Sequence, residues 1–219
     1  RNGVSDLELI NSEKLFELCP YVNREAVAAL HAPTAGIISP YELALALMEN
    51  AMSNGVRTLL ETEALAIVKE GEDIGGVETN RGVVEADYVI NAAGLNADKI
   101  SRMAGICDFE ILPRRGEYIV LDKKLNGFVD KIVFPTPTPI SKGILVAPTF
   151  EGNTILGPNA EDVRHKDEIN NTWAGLEEVK ANVLKLVPSL DLNDKIRVYA
   201  GVRAEPSTKD FVVKAYKEA

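Results

Sequence analysis

The sequence has few of the residues that most often carry catalysis or crosslinks. Its 219 residues include two cysteines, Cys19 and Cys107, and two histidines, His31 and His165. Two cysteines so far apart exclude a disulfide framework and a zinc knuckle, so they predict free thiols in a reducing compartment. The motifs of serine hydrolases, zinc peptidases and P-loop proteins are absent, and no residue cluster predicts a metal site.

Excess positive charge and long apolar runs are also missing. The net charge is -9, which argues against binding to nucleic acid or to acidic membrane surfaces, because both need a basic surface. No apolar run approaches the roughly 18 residues that a membrane span needs, and no signal peptide is visible. We therefore expect a cytoplasmic protein, with any membrane association made through partner proteins.

The composition that remains is that of a globular protein, with 46% hydrophobic and 26% charged residues. The clearest helix begins after Ser39, which is placed as N-cap, with Pro40 at the first helical position and Glu42 completing a capping box. Leu43 and Leu47 lie on its apolar face. Apolar spacing and stop signals predict helices over residues 12–19, 24–30, 40–54, 97–104 and 173–186.

Alternation with a period of two predicts the strands. They cover residues 64–68, 74–79, 83–84, 87–90, 117–121, 132–134, 143–148, 153–156 and 196–203, and another begins after Asp210. The run 87–90 is apolar enough to be buried on both faces. Together these elements predict an α+β (mixed α/β) fold, with an antiparallel-rich sheet covered by helices and a separate three-stranded meander.

Three segments combine small and charged residues in a way that suggests ligand binding. Residues 91–96 form a small-residue turn between a strand and a helix, where a backbone can approach a phosphate. Residues 113–118 place two arginines at a strand entry, and residues 199–203 place a glycine before Arg203 in an apolar strand. Packing gives alternatives, because tight turns also need small residues and Arg203 could form a salt bridge. His31 could be an ordinary hydrogen-bonded loop residue.

Five segments in this order resemble the D-amino-acid-oxidase (DAO) superfamily of flavoproteins. Within it, the chain is most similar to FAD-dependent glycerol-3-phosphate dehydrogenases, with L-2-hydroxyglutarate oxidases close behind. The similarity covers essentially the whole chain, and it rests on residues 30–38, 89–98, 113–118, 156–162 and 199–203.

The resemblance implies FAD as the cofactor and a division into two regions. Residues 40–105 would form a partial FAD-binding lobe that includes the meander, and residues 1–39 and 106–219 would form the substrate-binding domain. The G-x-G-x-x-G motif that opens the family's dinucleotide-binding unit does not occur. We therefore expect an internal fragment of a longer enzyme, in which FAD belongs to the full-length protein and is absent from the isolated fragment.

The resemblance also assigns residues to FAD. Backbone at Ala64 or Leu65 would lie near the adenine, the Ala93-Gly94 turn near the dinucleotide, and Gly201 close to the flavin ring.

For a small anionic substrate, the resemblance implies that Arg203 binds the anionic group, with Arg115 and Tyr118 also at the substrate. His31 is a candidate catalytic residue, and no base is assigned with greater weight.

The implied reaction is oxidation of sn-glycerol 3-phosphate to dihydroxyacetone phosphate by hydride transfer to the flavin. One alternative is oxidation of L-2-hydroxyglutarate or another 2-hydroxy acid, which is also an anionic secondary alcohol. Another is a binding or assembly module without catalysis. A partner subunit that accepts electrons is compatible with the resemblance, and the oligomeric state is not predicted.

Overall fold

The computed structural model describes residues 3–71, 73–138 and 142–216. In these ranges the strands are β1 (Glu8–Asn11), β2 (Ala28–His31), β3 (Ala64–Glu70), β4 (Asp73–Thr79), β5 (Gly82–Glu85), β6 (Ile111–Leu121), β7 (Leu145–Pro148), β8 (Thr154–Gly157), β9 (Glu161–Asp162) and β10 (Lys195–Pro206). The α-helices are α1 (Ser12–Leu18), α2 (Pro40–Ser53), α3 (Ala97–Met103) and α4 (Trp173–Leu186). This antiparallel-rich mixture confirms the predicted fold class.

The chain folds as two compact units. The first contains Arg1–Leu47, Arg115–Glu161 and Ile169–Gly201, and the second contains Met48–Arg114, Asp162–Glu168 and Val202–Ala219. The assignment of residues 40–105 to FAD and of the remainder to substrate stays a prediction.

The core of the first unit lies between a sheet and helix α4. The strand order is β10-β6-β8-β7, and β9 pairs with β6. Antiparallel pairing places Ile119 opposite Leu156. Helix α4 begins after Thr172, whose hydroxyl accepts a hydrogen bond from Gly175 N at 3.0 Å. The predicted apolar stripe of α4 is buried at Val179 and Val183.

The second unit contains the predicted meander. Strands β3, β4 and β5 pair antiparallel in sequence order, and Gly82 has a φ of +111°, the left-handed backbone region that favours glycine in a turn. Helix α3 follows a 3-10 turn at Gly94–Asn96. Asn96 occupies the N-cap position of α3, and its side chain makes no cap hydrogen bond.

Helix α2 has the predicted cap. The hydroxyl of Ser39 accepts a hydrogen bond from Glu42 N at 3.4 Å, and the Ser39 carbonyl accepts one from Leu43 N at 3.0 Å. The apolar side chains Leu43 and Leu47 remain exposed, however, and no residue of the helix is buried. The sequence pattern thus identified the apolar face, but the described residues do not cover it.

The predicted helix over residues 24–30 is wrong. Residues 28–31 form strand β2, which pairs with β1 and places Leu9 opposite Leu30 and Ile10 opposite Ala29. This pairing allows Ile10 to enter the core with 5% exposure. Tertiary pairing therefore overrides the helix propensity of the alanine-rich segment.

Three predicted strands are also absent or reduced. Tyr88 and Ile90 lie outside any strand and are about nine-tenths exposed, because a strand buried on both faces needs flanking strands that the described ranges do not supply. The segment after Asp210 has no strand either, with Phe211 exposed. Residues 132–134 retain only a bridge from Val133 to Val146, since prolines follow.

The two cysteines are unpaired, as predicted, with Cys19 buried and Cys107 exposed. None of the helices within residues 3–71, 73–138 and 142–216 is long and apolar enough to cross a membrane. In the same ranges, no group of three or more histidine, cysteine, aspartate or glutamate residues is placed to hold a metal ion.

Candidate functional site

Arg115, a predicted substrate ligand, is buried in the first unit. It is 4% exposed. Its guanidinium donates to the Glu161 carboxylate at 2.6 Å and to the Asn170 side-chain oxygen at 3.1 Å. The guanidinium also lies 3.7 Å from Glu117. Arg115 therefore has protein acceptors in this structure, and direct substrate binding would require it to exchange them.

Glu117, two residues further along β6, is fully buried. Its carboxylate accepts hydrogen bonds from Thr172 N at 2.7 Å and from the Thr172 hydroxyl at 2.8 Å. The Asn171 side chain donates a third hydrogen bond at 3.3 Å. A buried carboxylate is tolerated when donors surround it, and the first turn of a helix favours negative charge. Glu117 thus attaches strand β6 to the beginning of helix α4.

Tyr118, also predicted at the substrate, forms an aromatic pair with Tyr199. The ring centroids lie 4.9 Å apart and the planes differ by 11°, a stacked arrangement. Burial raises the pKa of Tyr199 above its usual value, and the electrostatic influence of Tyr118 and Tyr41 adds to this. The neutral phenol is therefore the stable form of Tyr199 near neutral pH. Tyr118 and Tyr199 give strands β6 and β10 a partly exposed aromatic surface.

Arg203, the predicted anion ligand, is exposed on β10 in the second unit. Among the described residues, no carboxylate lies within 4.0 Å of its guanidinium. A hydrogen bond from Lys209 holds the pKa of Glu205 below its usual value, although partial burial of Glu205 opposes this. The positive charges of Lys209, Arg114 and Arg203 lower the pKa of Glu205 further. The alternative role of Arg203, a structural salt bridge, is therefore not supported by any ion pair in the described ranges.

The predicted FAD contacts lie on open surface. Gly94 has a φ of +55°, and a Cβ added to it would meet no atom within 4 Å. A Cβ added to Gly201 would also meet no atom within 4 Å. The side chain of Asn91 accepts a hydrogen bond from Ala93 N at 3.2 Å and so orders the turn. Strand β3 begins with Ala64, half-buried, followed by Leu65 with 48% exposure.

His31 ends strand β2 and is half-buried. In the antiparallel register it lies opposite Glu8. His31 therefore lies in a strand, which differs from the alternative of a loop histidine, and its catalytic role stays a prediction.

The buried polar residues Glu117 and Asn159 were not predicted from the sequence. Asn159 is 3% exposed and accepts a hydrogen bond from Glu117 N at 2.8 Å. A signal was available, because a period of two places Arg115 and Glu117 on the same face of β6 as the core residues Ile119 and Leu121. Two charges at core-facing positions predict a buried polar network.

The sequence of the chain identifies its family. A family model described as FAD-dependent oxidoreductase, the DAO family, matches residues 1–218. The chain belongs to the DAO family. This is a family of FAD-dependent oxidoreductases, so FAD is the cofactor of the family.

The relatives of the chain include two kinds of dehydrogenase. The chain is 40% identical to glycerol 3-phosphate dehydrogenase from Caloramator mitchellensis, over 100% of the chain and 45% of that protein. It is 27% identical to L-2-hydroxyglutarate dehydrogenase from Salmonella houtenae, over 95% of the chain and 57% of that protein. The chain thus spans about half the length of these relatives.

A solved structure of L-α-glycerophosphate oxidase from Mycoplasma pneumoniae, dithionite-reduced and with FAD bound, resembles the chain closely. The TM-score is 0.85 at 30% identity, and the match covers 98% of this chain and 57% of that one. The assignment of Ala93, Gly94 and Gly201 to FAD stays a prediction, and the open space around an added Cβ at Gly94 and at Gly201 leaves room for a cofactor near each backbone.

Proposed function

We propose that this chain forms part of an FAD-dependent enzyme that oxidises sn-glycerol 3-phosphate to dihydroxyacetone phosphate. The observation that carries the proposal is Arg203, an exposed guanidinium with no carboxylate partner among the described residues. The 40% identity to a glycerol 3-phosphate dehydrogenase supports the choice of substrate. Because a phosphate accepts two parallel hydrogen bonds from one guanidinium, Arg203 would fix the position and direction of the substrate.

The proposed reaction removes a hydride and a proton from the secondary alcohol of the substrate. FAD, when bound, supplies the hydride acceptor. In this proposal Arg203 would bind the phosphate and so orient the alcohol carbon. Tyr118 is taken to contact the substrate because the resemblance implies it. Arg115 would act at the substrate only by exchanging its bonds to Glu161 and Asn170, and His31 is the candidate for the proton transfer.

Residues 40–105 would form the FAD-binding lobe, and residues 1–39 and 106–219 the substrate-binding domain. In this assignment Ala64 or Leu65 contacts the adenine, Ala93 and Gly94 the dinucleotide, and Gly201 the flavin ring. Small or backbone contacts suit such positions because they let the cofactor approach closely. A cytoplasmic enzyme that passes electrons to a partner subunit is part of the same proposal.

The second candidate is oxidation of L-2-hydroxyglutarate. It is supported by the similarity to L-2-hydroxyglutarate dehydrogenase. A carboxylate can replace the phosphate on Arg203, so the arginine alone does not separate the two substrates. The match to an oxidoreductase family favours either enzyme over a binding module without catalysis.

Substitution of Arg203 tests the proposal in the natural protein that contains this sequence. Arg203→Ala should raise the KM for sn-glycerol 3-phosphate roughly 10- to 150-fold, since a charge-assisted hydrogen bond contributes about 1.5–3 kcal/mol. Arg203→Lys should recover part of this loss, because lysine cannot form the two-pronged contact. Flavin content and melting temperature should not change. Arg197→Ala, an exposed arginine of the same strand, is the matched control, and an unchanged KM in Arg203→Ala would remove Arg203 from the site.

A further inference from the structure

The ring of Tyr118 is held between the two strands that flank β6. On the β10 side it stacks on Tyr199 at 4.9 Å between centroids. On the β8 side it lies against Gly157, where an added Cβ would come within 3.1 Å of Tyr118 Cδ1. The ring therefore occupies a slot between a glycine and a parallel aromatic ring, and its orientation depends on where the backbone of β6 lies.

The backbone at this point of β6 is fixed through Glu117. The N–H of Glu117 donates to Asn159 Oδ1 at 2.8 Å, and Asn159 Nδ2 donates to Glu178 Oε2 at 3.1 Å. The carbonyl oxygen of Glu117 packs against Gly157, where an added Cβ would lie 2.6 Å away. The backbone of Glu117, directly before Tyr118, thus has two contacts with residues 157–159.

The side chain of Glu117 adds a third attachment. Its two oxygens accept from Thr172 N and from the Thr172 hydroxyl at the beginning of helix α4. That helix is itself fixed by Val179 and Val183, which are fully buried. Hydrogen bonds to a carboxylate are directional, whereas apolar side chains can shift along each other and keep their contacts. The bonds from Thr172 to Glu117 therefore set the position of strand β6.

An apolar residue could fill this space without the cost of burying a charge. The next two core-facing positions of β6 are Ile119 and Leu121, which are 2% and 0% exposed. A buried carboxylate stabilises only when all its bonds are made. The partners of Glu117 at this core-facing position include the Arg115 guanidinium at 3.7 Å and the donors of Thr172, and the bonds to Thr172 join strand β6 to helix α4.

We infer that Glu117 is a positioning residue, which fixes the Tyr118 ring in its stacked orientation through Thr172 and Asn159. This inference rests on the proposed function in that Tyr118 is taken to contact the substrate. Glu117 itself does not touch the substrate, because its side chain is fully buried beneath the strand.

A double-mutant cycle in the natural protein tests the inference. Glu117→Gln replaces one acceptor oxygen by a donor that faces the donors of Thr172. It should raise the KM for sn-glycerol 3-phosphate about tenfold through displacement of Tyr118, as should Tyr118→Leu. In the Tyr118→Leu background, Glu117→Gln should add less than about twofold, because both changes act through one ring. The control is Glu177→Gln, which replaces a carboxylate of helix α4 that pairs with Lys180. It should leave KM unchanged.

Independent effects of Glu117→Gln and Tyr118→Leu, multiplying in the double variant, would overturn the inference. If Glu117→Gln does not fold, Thr172→Val takes its place in the cycle. This substitution removes the hydroxyl donor to Glu117 and also the hydroxyl acceptor that caps helix α4 at Gly175 N. The loss of the cap is common to both Tyr118 backgrounds, so it cancels in the cycle.

A spectroscopic measurement separates this inference from the proposed function. The stacked tyrosines should contribute a near-ultraviolet circular dichroism signal that Tyr118→Leu abolishes, and Glu117→Gln should reduce the same signal. If the signal falls but the KM of Tyr118→Leu is unchanged, the positioning role stands and the substrate role of Tyr118 fails. If Glu117→Gln or Thr172→Val folds and keeps the full signal, Glu117 does not position the ring.

Discussion

The carboxylate of Glu117 fills the space that a side chain at Gly175 would need. An added Cβ at Gly175 would clash with Glu117 Oε1, and it would lie 2.5 Å from Glu117 Cδ and 3.0 Å from Asn159 Nδ2. A strand carboxylate and a helical glycine therefore fit together, and this explains a glycine in the first turn of helix α4.

This contact predicts that Gly175→Ala destabilises the protein by about 1–3 kcal/mol, the usual cost of overpacking a buried site. Helix propensity alone predicts the opposite sign, a gain of about 1 kcal/mol. Denaturant unfolding measures the difference. Gly36→Ala, where an added Cβ meets no atom within 4 Å, is the matched control in the same unit and should be neutral. A Gly175→Ala variant as stable as the parent would contradict the packing of Glu117 against α4.

Asp98 in the second unit should give stability that depends on pH. It is 2% exposed, and its carboxylate accepts from Lys166 Nζ at 2.6 Å, Lys99 N at 2.9 Å and Ile111 N at 3.2 Å. Burial alone would raise its pKa, but these hydrogen bonds, the one from Lys166 first, hold the pKa of Asp98 below its usual value. A depressed folded-state pKa gives stability that is present above the unfolded pKa of about 3.9 and is lost as pH falls through the folded pKa.

Asp98→Asn should therefore lose about 2–3 kcal/mol of unfolding free energy near neutral pH. The difference in unfolding free energy between the variant and the parent should become smaller below about pH 4, where the parent carboxylate becomes protonated. Asp87→Asn, an exposed aspartate of the same unit, serves as control. A gap that stays constant from neutral to acidic pH would show that the charge of Asp98 is not responsible.

Arg115 offers a test between a structural and a substrate role. Because its guanidinium is 4% exposed and bonded to Glu161 and Asn170, Arg115→Gln should lower the unfolding free energy by about 2–3 kcal/mol. Enzyme that remains folded should keep its KM. Arg164→Gln, an exposed arginine, is the control for loss of one positive charge. A steep rise in KM with unchanged stability would instead place Arg115 at the substrate.

Local signals in the sequence predicted most of the elements correctly. The caps at Ser39 and the apolar stripe at Val179 and Val183 determine where helices α2 and α4 lie, and both depend only on neighbours within a few residues. The turn at Gly82 likewise needs only local backbone freedom. These features could be predicted because short-range geometry decides them.

The elements that were predicted wrongly depend on residues far away in the chain. Residues 28–31 form a strand because β1 pairs with them, and Tyr88 to Ile90 form none because no described strand lies beside them. The bonds from Glu117 to Thr172 join positions 55 apart in sequence. Spacing and composition do not specify such contacts, so the buried network emerged only from the structure.

The most direct measurement is anaerobic reduction of the flavin in the natural protein that contains this sequence. Addition of sn-glycerol 3-phosphate should bleach the visible flavin absorbance and yield dihydroxyacetone phosphate, and L-2-hydroxyglutarate at the same concentration should leave the flavin oxidised. The Arg203→Ala variant should require much more sn-glycerol 3-phosphate for the same rate. Bleaching by L-2-hydroxyglutarate without bleaching by sn-glycerol 3-phosphate would contradict the proposed function.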